Sequence, residues 1–309
     1  MRRILTFIIT LVFLVSLTSC FEDNNQKVSL IAPTGTPTLG LSEALDTYES
    51  SFDYNIVSGP DALKAAFINA SYDIIVAPVN LGSTFYNNLN NFEYTFYQTI
   101  VGGSFYLVST NELKSIKDID NTEITVFGAN STPDVVIRSL IAYHNLNVTI
   151  NYVSDVAEAN SMLISGKAHT IVSAEPSISK FNATNKFYKL NLQDAWKEMS
   201  NSEYAIPQAG IFVKISKLNN VYVQNALERI NKSIELSATN PTRLAESAVK
   251  VDSSLEKIGV ATLVKAIPNC NLIYTKSNQL EIEFYFNKLI ELGLGKTMGG
   301  KLPGEDFYA

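Results

Sequence analysis

Cysteine, histidine and basic clusters are all scarce in this chain, and each scarcity closes off a class of protein. Two Cys among 309 residues cannot build a disulfide scaffold or a Cys-based metal site. The two His, His144 and His169, have no nucleophile or metal-spaced partner near them in sequence, so each reads as structural. Beyond position 3 no Lys/Arg cluster occurs, and acidic residues outnumber basic ones by 30 to 24, which leaves no surface prepared for a phosphate backbone. Nucleic acid is not an expected partner. With only 15 Gly and 10 Pro, and 46% hydrophobic residues, neither a collagen-like nor a disordered chain fits. Walker, Rossmann, Ser-elbow and zinc motifs are missing, and no cofactor or metal is expected.

Long apolar runs are missing too, apart from the start. Arg2 and Arg3 precede the apolar stretch Ile4 to Leu17, too short for a membrane-spanning helix and flanked like a secretory signal. It closes on Leu17-Thr18-Ser19-Cys20, which resembles the bacterial lipobox, where the Cys thiol is acylated and the chain is cut just before it. On that reading residues 1–19 are a lipoprotein signal peptide, Cys20 carries the lipid, and residues 20–27 are a polar tether. The body would lie outside the cell membrane, anchored to it through Cys20. Cys270, left without a partner thiol, reads as buried.

From Val28 onward short β-branched runs alternate with helix-length segments: Val28 to Ala32, Tyr54 to Val57 and Ile74 to Ala77, then Ile124 to Phe127, Val148 to Val153 and Thr170 to Ser173. That alternation predicts an α/β fold with two successive parallel βαβ units. At one constant offset Phe67 to Ala70 lie over Leu163 to Gly166, and Ile75 to Ala77 over Ile171 to Ser173, which fits either a structural repeat or ordinary βα punctuation. After Pro207 come a strand, Gly210 to Lys214, and then helices that include Val221 to Thr239 and Leu280 to Leu294. Two lobes are therefore expected, one of residues 28–109 plus 209–309 and one of residues 110–208. Crossovers are expected near Ser109 to Lys114 and near Glu203 to Gln208.

Ala32-Pro33-Thr34-Gly35-Thr36-Pro37 after the first strand, Ser58-Gly59-Pro60-Asp61-Ala62-Leu63, Tyr72-Asp73-Ile74-Ile75-Val76-Ala77-Pro78 and, later, Ser173-Ala174-Glu175-Pro176 resemble, in order and spacing, a known family. It is that of solute-binding lipoproteins of ABC importers, in the sulfonate-, taurine-, nitrate- and thiamine-precursor-binding group. The resemblance implies a type II periplasmic-binding-protein fold, monomeric, with a ligand cleft between two α/β lobes. It also implies a small-molecule solute and an ABC permease with its ATPase as partners. Members often carry Gly-Lys-Ala-Asp where this chain has Gly166-Lys167-Ala168-His169.

In open α/β sheets ligands sit beyond the carboxyl ends of strands. The turn Thr34, Gly35, Thr36, Pro37 offers hydroxyls and orphan N–H groups there, though it also suits a plain helix cap. Ser58 marks a second such turn, and Gly128, Ser131 and Thr132 a third in the second unit. Asn80 and Glu175 follow strand ends at echoing places, and Glu175 is the one charge expected in the cleft. Among the aromatics Phe85, Tyr86, Phe105, Tyr106, Trp196 and Tyr204, the expected ligand wall is Tyr204, with Gln208 as its polar companion. With no Lys or Arg in these turns, a neutral or amine-bearing ring, such as a thiamine-precursor-like nitrogen heterocycle, fits better than a sulfonate. Two other readings stay open: an enzyme on the same fold, a biosynthetic lyase or pyrimidine-precursor synthase, and a surface lipoprotein without a solute, suggested by the Asn-rich stretch Asn87 to Asn91.

Overall fold

The computed structural model describes residues 26–182, 187–273 and 279–309. The signal peptide, Cys20 and most of the tether lie outside the described residues. Among the described residues ten strands form two five-stranded sheets. The first runs in the order β2 (Phe52–Val57), β1 (Val28–Pro33), β3 (Ile74–Ala77), β10 (Ala209–Lys214), β4 (Tyr94–Val101). The second runs β7 (Val148–Val153), β6 (Thr122–Phe127), β8 (Thr170–Ala174), β5 (Phe105–Ser109), β9 (Tyr188–Asn191).

The two orders are the same arrangement. In each, the strand in second position is flanked by two parallel neighbours, and the strand in fourth position pairs antiparallel with both of its neighbours. β3 and β8 occupy corresponding places, so the sequence echo between Ile75 to Ala77 and Ile171 to Ser173 falls on equivalent strands. The strand in fifth position of each sheet hands the chain to the fourth position of the other: β4 leads into β5, and β9 leads through a helix into β10.

That exchange moves the first crossover. Phe105 to Ser109 pair with β8 and not with the first sheet, so the chain crosses at Gly102 to Ser104, before the expected Ser109 to Lys114. The reason is steric as well as topological. A Cβ on Gly102 would lie 2.7 Å from Ile273 Cδ1, and one on Gly103, at φ +89°, would lie 2.6 Å from Gln193 Oε1. At Gly103 the left-handed backbone itself calls for glycine. The chain returns through residues 201–208, between the preceding helix and β10.

Both faces of the first sheet are covered, so alternate residues of one strand enter different cores. Leu30 and Ala32 of β1 face α1 (Thr36–Thr47) and α8 (Val221–Thr239), meeting Leu41, Leu45, Leu227 and Ile230. Ile31 faces the opposite way, toward α2 (Asp61–Asn69) and α3 (Val79–Asn88), with Phe67, Phe96 and Phe212. In the second sheet Val126, Leu107 and Val172 pack with α4 (Thr132–Tyr143) and α7 (Leu192–Ser200), while Val108 and Ile171 meet α5 (Val156–Ile164) and α6 (Ser177–Asn182). α9 (Pro241–Val251), α10 (Ser253–Glu256) and α11 (Val260–Ala266) form a layer outside α1. The last helix, α12 (Gln279–Glu291), sets Tyr285 against Trp196 of α7, ring centroids 5.2 Å apart, beside the second crossover. Among the described residues no helix is long and apolar enough to cross a membrane.

Candidate functional site

Strand ends of both sheets converge on one cleft with a cavity volume of about 150 Å³. The first lobe contributes Pro33, Thr34 and Pro37 at and beyond the end of β1, Val57, Gly59, Pro60 and Leu63 at and beyond the end of β2, Pro78 after β3, and Gln208 just before and Ala209 at the start of β10. The second lobe contributes Phe105 at the start of β5, Phe127 at the end of β6 with Gly128, Ser131, Thr132 and Pro133 beyond it, and Ser154, Asp155 and Val156 after β7. The walls are mainly apolar, with Phe105 and Phe127 meeting edge to face at 6.3 Å. Among the described residues Asp155 is the one charged side chain on them, and its carboxylate also caps α5 through the Glu158 N–H, 2.9 Å away.

Hydrogen bonds cross between the lobes on either side of this space, and two of them start from equivalent residues. Thr36 and Thr132 each open a helix and each precede a Pro. Thr36 Oγ1 donates across to Glu175 O, and Thr132 Oγ1 donates to Gln208 O at 2.9 Å and to Asn80 Oδ1 at 3.4 Å. Asn80 Nδ2 donates in turn to Asn130 O at 3.1 Å and Thr297 O at 2.9 Å. Gln208 Oε1 accepts from the Ser104 N–H at 2.7 Å and from its hydroxyl at 3.1 Å, which ties the two crossovers together. The lobes are thus held closed by direct hydrogen bonds between their strand-end turns.

The turn after β6 is built to stay put. Gly128 sits at φ +66° and Asn130 at +63°, left-handed conformations that glycine and asparagine tolerate best. Asp134, 1% exposed, accepts from the Asn130 N–H at 2.7 Å, from Arg138 through two nitrogens at 2.9 Å, and from the Tyr152 hydroxyl at 2.9 Å. Burial and the adjacent Asp134 carboxylate push the Tyr152 phenol up to about 12.

Six of the twelve sequence candidates line the cleft: Thr34, Pro37, Gly128, Ser131, Thr132 and Gln208. The others lie close by or elsewhere. Gly35 and Thr36 are turned to Asp252 and Glu175, and Asn80 bridges the lobes. Ser58 gives its place on the wall to Gly59 and Pro60. The Glu175 carboxylate is not in the cleft: it accepts from the Ser179 hydroxyl at 3.0 Å and N–H at 3.3 Å, within its own lobe. Burial holds that carboxyl above its ordinary range, and Ser179 and Lys189 partly offset the rise. Tyr204 is not a cleft wall either, because its ring packs edge-on against Phe284 at 5.3 Å. Phe105, Phe127 and Asp155 take the places expected for these two residues. Phe127 and Asp155 lie at the end of a strand and just beyond one, the position that the strand-end rule itself selects.

His169 Nδ1 meets the Thr110 hydroxyl at 3.4 Å at the far end of the second sheet, and His144 follows α4, so neither reaches the cleft. Cys270 is fully buried, and burial drives its thiol well above the usual range. Among the described residues no group of three or more His, Cys, Asp or Glu is placed to hold a metal ion.

No protein-family model matches the sequence, and no curated protein matches it. Solved structures do match. An ABC transporter protein from Parabacteroides distasonis is 19% identical with TM-score 0.72, over 92% of this chain and 99% of that one. The periplasmic aliphatic sulphonate binding protein SsuA from Escherichia coli is 12% identical with TM-score 0.66, over 90% of this chain and 93% of that one. A Candida albicans protein described as having the generic periplasmic binding protein fold is 11% identical with TM-score 0.61, over 90% of this chain and 99% of that one. These neighbours include periplasmic solute-binding proteins of ABC importers, the group that the sequence motifs resemble, and the chain has their fold: two α/β lobes, joined by crossing segments, that face each other across a cleft.

Proposed function

We propose that the protein captures a small molecule between its lobes outside the cell membrane and delivers it to an ABC permease with its ATPase. One observation carries this reading: the cleft is walled by strand ends of both sheets and bridged by Thr36, Asn80 and Thr132, so closing the lobes and enclosing a solute are the same event. Among the described residues the walls are aromatic and aliphatic with one carboxylate and no cationic side chain, which suits a neutral or amine-bearing ring, such as a nitrogen heterocycle, over a sulfonate. A screen of aromatic amines, heterocycles and sulfonates by thermal shift, followed by small-angle scattering with the best binder, tests it. Binding is expected to raise the melting temperature and to reduce the radius of gyration. A saturating ligand that leaves the scattering curve unchanged would rule out closure, and sulfonates outranking every amine would rule out the assigned polarity.

We also infer an acylated Cys20 that holds the body on the outer face of the membrane, from Leu17-Thr18-Ser19-Cys20 behind an apolar segment. Cys20→Ala is expected to abolish acyl mass and membrane retention of the cut form. A variant that is still cut after Ser19 and retained on membranes contradicts the anchor.

A further inference from the structure

We infer that Asp252 sets the charge selectivity of the cleft by occupying, with its own carboxylate, the donors at the start of α1 that an anionic solute would need. The inference deepens the solute-binding reading and rests on it. Asp252 is 4% exposed and caps α10, its Oδ1 accepting from the Ser254 N–H at 2.8 Å. Its Oδ2 accepts from the Gly35 N–H at 3.2 Å and from the Thr34 hydroxyl. α9 holds it there: Glu43 and Asp46 of α1 pair with Arg243 and Lys250, and Asp46 also accepts from Ser247 at 2.9 Å.

A hydroxyl has one proton. Thr34 Oγ1 touches both Asp252 Oδ2 and Ser254 Oγ, and the carboxylate can only accept. Thr34 therefore gives its proton to Asp252 and receives one from Ser254. What remains for the cleft, which Thr34 lines, is an acceptor lone pair. The other hydroxyls on the wall that have protein acceptors are committed the same way: Ser131 donates to Gly128 O and Thr132 to Gln208 O. A sulfonate placed at this turn would meet a buried carboxylate and no free hydroxyl proton. An ammonium or ring N–H would meet oxygen lone pairs and favourable charge.

The experiment measures binding of two probes with the same ring and opposite charge, benzylamine and phenylmethanesulfonate, to the full chain by calorimetry. The unmodified protein is expected to favour benzylamine by about tenfold or more. Asp252→Asn retains a side-chain oxygen to cap α10, removes the charge and lets an amide N–H point at Thr34, which frees the hydroxyl proton for the cleft. It is expected to weaken benzylamine about tenfold and strengthen phenylmethanesulfonate by a similar factor. A probe ratio that moves by less than about threefold, or a sulfonate preference in the unmodified protein, overturns the inference. Should Asp252→Asn not fold, Thr34→Val decides instead: it removes the acceptor while keeping the carboxylate, and unchanged benzylamine affinity overturns the proposal. Ser154→Trp separates the two readings by filling the cleft from an exposed position on its wall. If it leaves binding of both probes intact, they bind elsewhere and the cleft reading itself fails.

Discussion

Phe212→Ala is expected to destabilise the protein by about 3–5 kcal/mol, the range for a large aromatic truncated in a core that cannot collapse. Phe212 is completely buried on β10, the strand that returns from the second lobe into the first sheet between β3 and β4. Its ring lies 5.2 Å from Phe67, 5.5 Å from Phe96 and 6.0 Å from Phe307. These rings come from a helix, a neighbouring strand and the last residues of the chain, so the cavity would open where three separate segments meet. Gly82 of α3 supplies an internal control. A Cβ there would lie 2.1 Å from Phe212 Cζ, so Gly82→Ala alone must displace the ring and should destabilise. In the Phe212→Ala background the same methyl enters the vacated space, and the two effects should be strongly non-additive. Urea unfolding of the two single variants and the double variant measures this, and additive losses would show that the ring does not fill the space against Gly82.

The alternation of strands and helices is legible because β1, β3, β6 and β8 carry β-branched runs bounded by Pro, Gly or Asp. Strand-end turns are legible for the same reason, and half of the chosen residues line the cleft. The first crossover is harder to read. Phe105 to Ser109 follow β4 directly and look like a continuation of the first unit, and only Gly102-Gly103 signals that the chain must pass a tight place. Glu175 looks like a cleft charge because it follows a strand end, yet Ser179, four residues on, takes its carboxylate. Tyr204 fails for a non-local reason, since the ring it packs against, Phe284, lies on α12. Asp252 has no local signal at all. It comes to Thr34 only because α9 docks on α1, and the direction in which Thr34 donates follows from that contact.

Asp134→Ala is expected to cost about 3 kcal/mol, toward the lower end of the range for breaking a buried ion pair, because Arg138 is 26% exposed and can be rehydrated. The substitution removes the shared acceptor of three donors at once: the Asn130 N–H, the Arg138 guanidinium and the Tyr152 hydroxyl. Its reach extends beyond stability. The Asn130 N–H bond fixes a left-handed residue whose carbonyl accepts from Asn80 of the other lobe, so loosening that turn should also weaken closure. Two measurements separate the effects. Urea unfolding reads the loss of stability, and scattering of the ligand-free protein reads the balance between open and closed lobes, expected to shift toward a larger radius of gyration. Arg138→Met is the contrasting case: it leaves the Asn130 N–H and Tyr152 bonds to Asp134 in place and, besides the ion pair, removes only the long 3.4 Å contact from Arg138 to the Asn130 side-chain oxygen, so it should destabilise while moving the open–closed balance much less. Equal shifts in both variants would mean that the ion pair, and not the hold on Asn130, carries the coupling from α4 to the cleft.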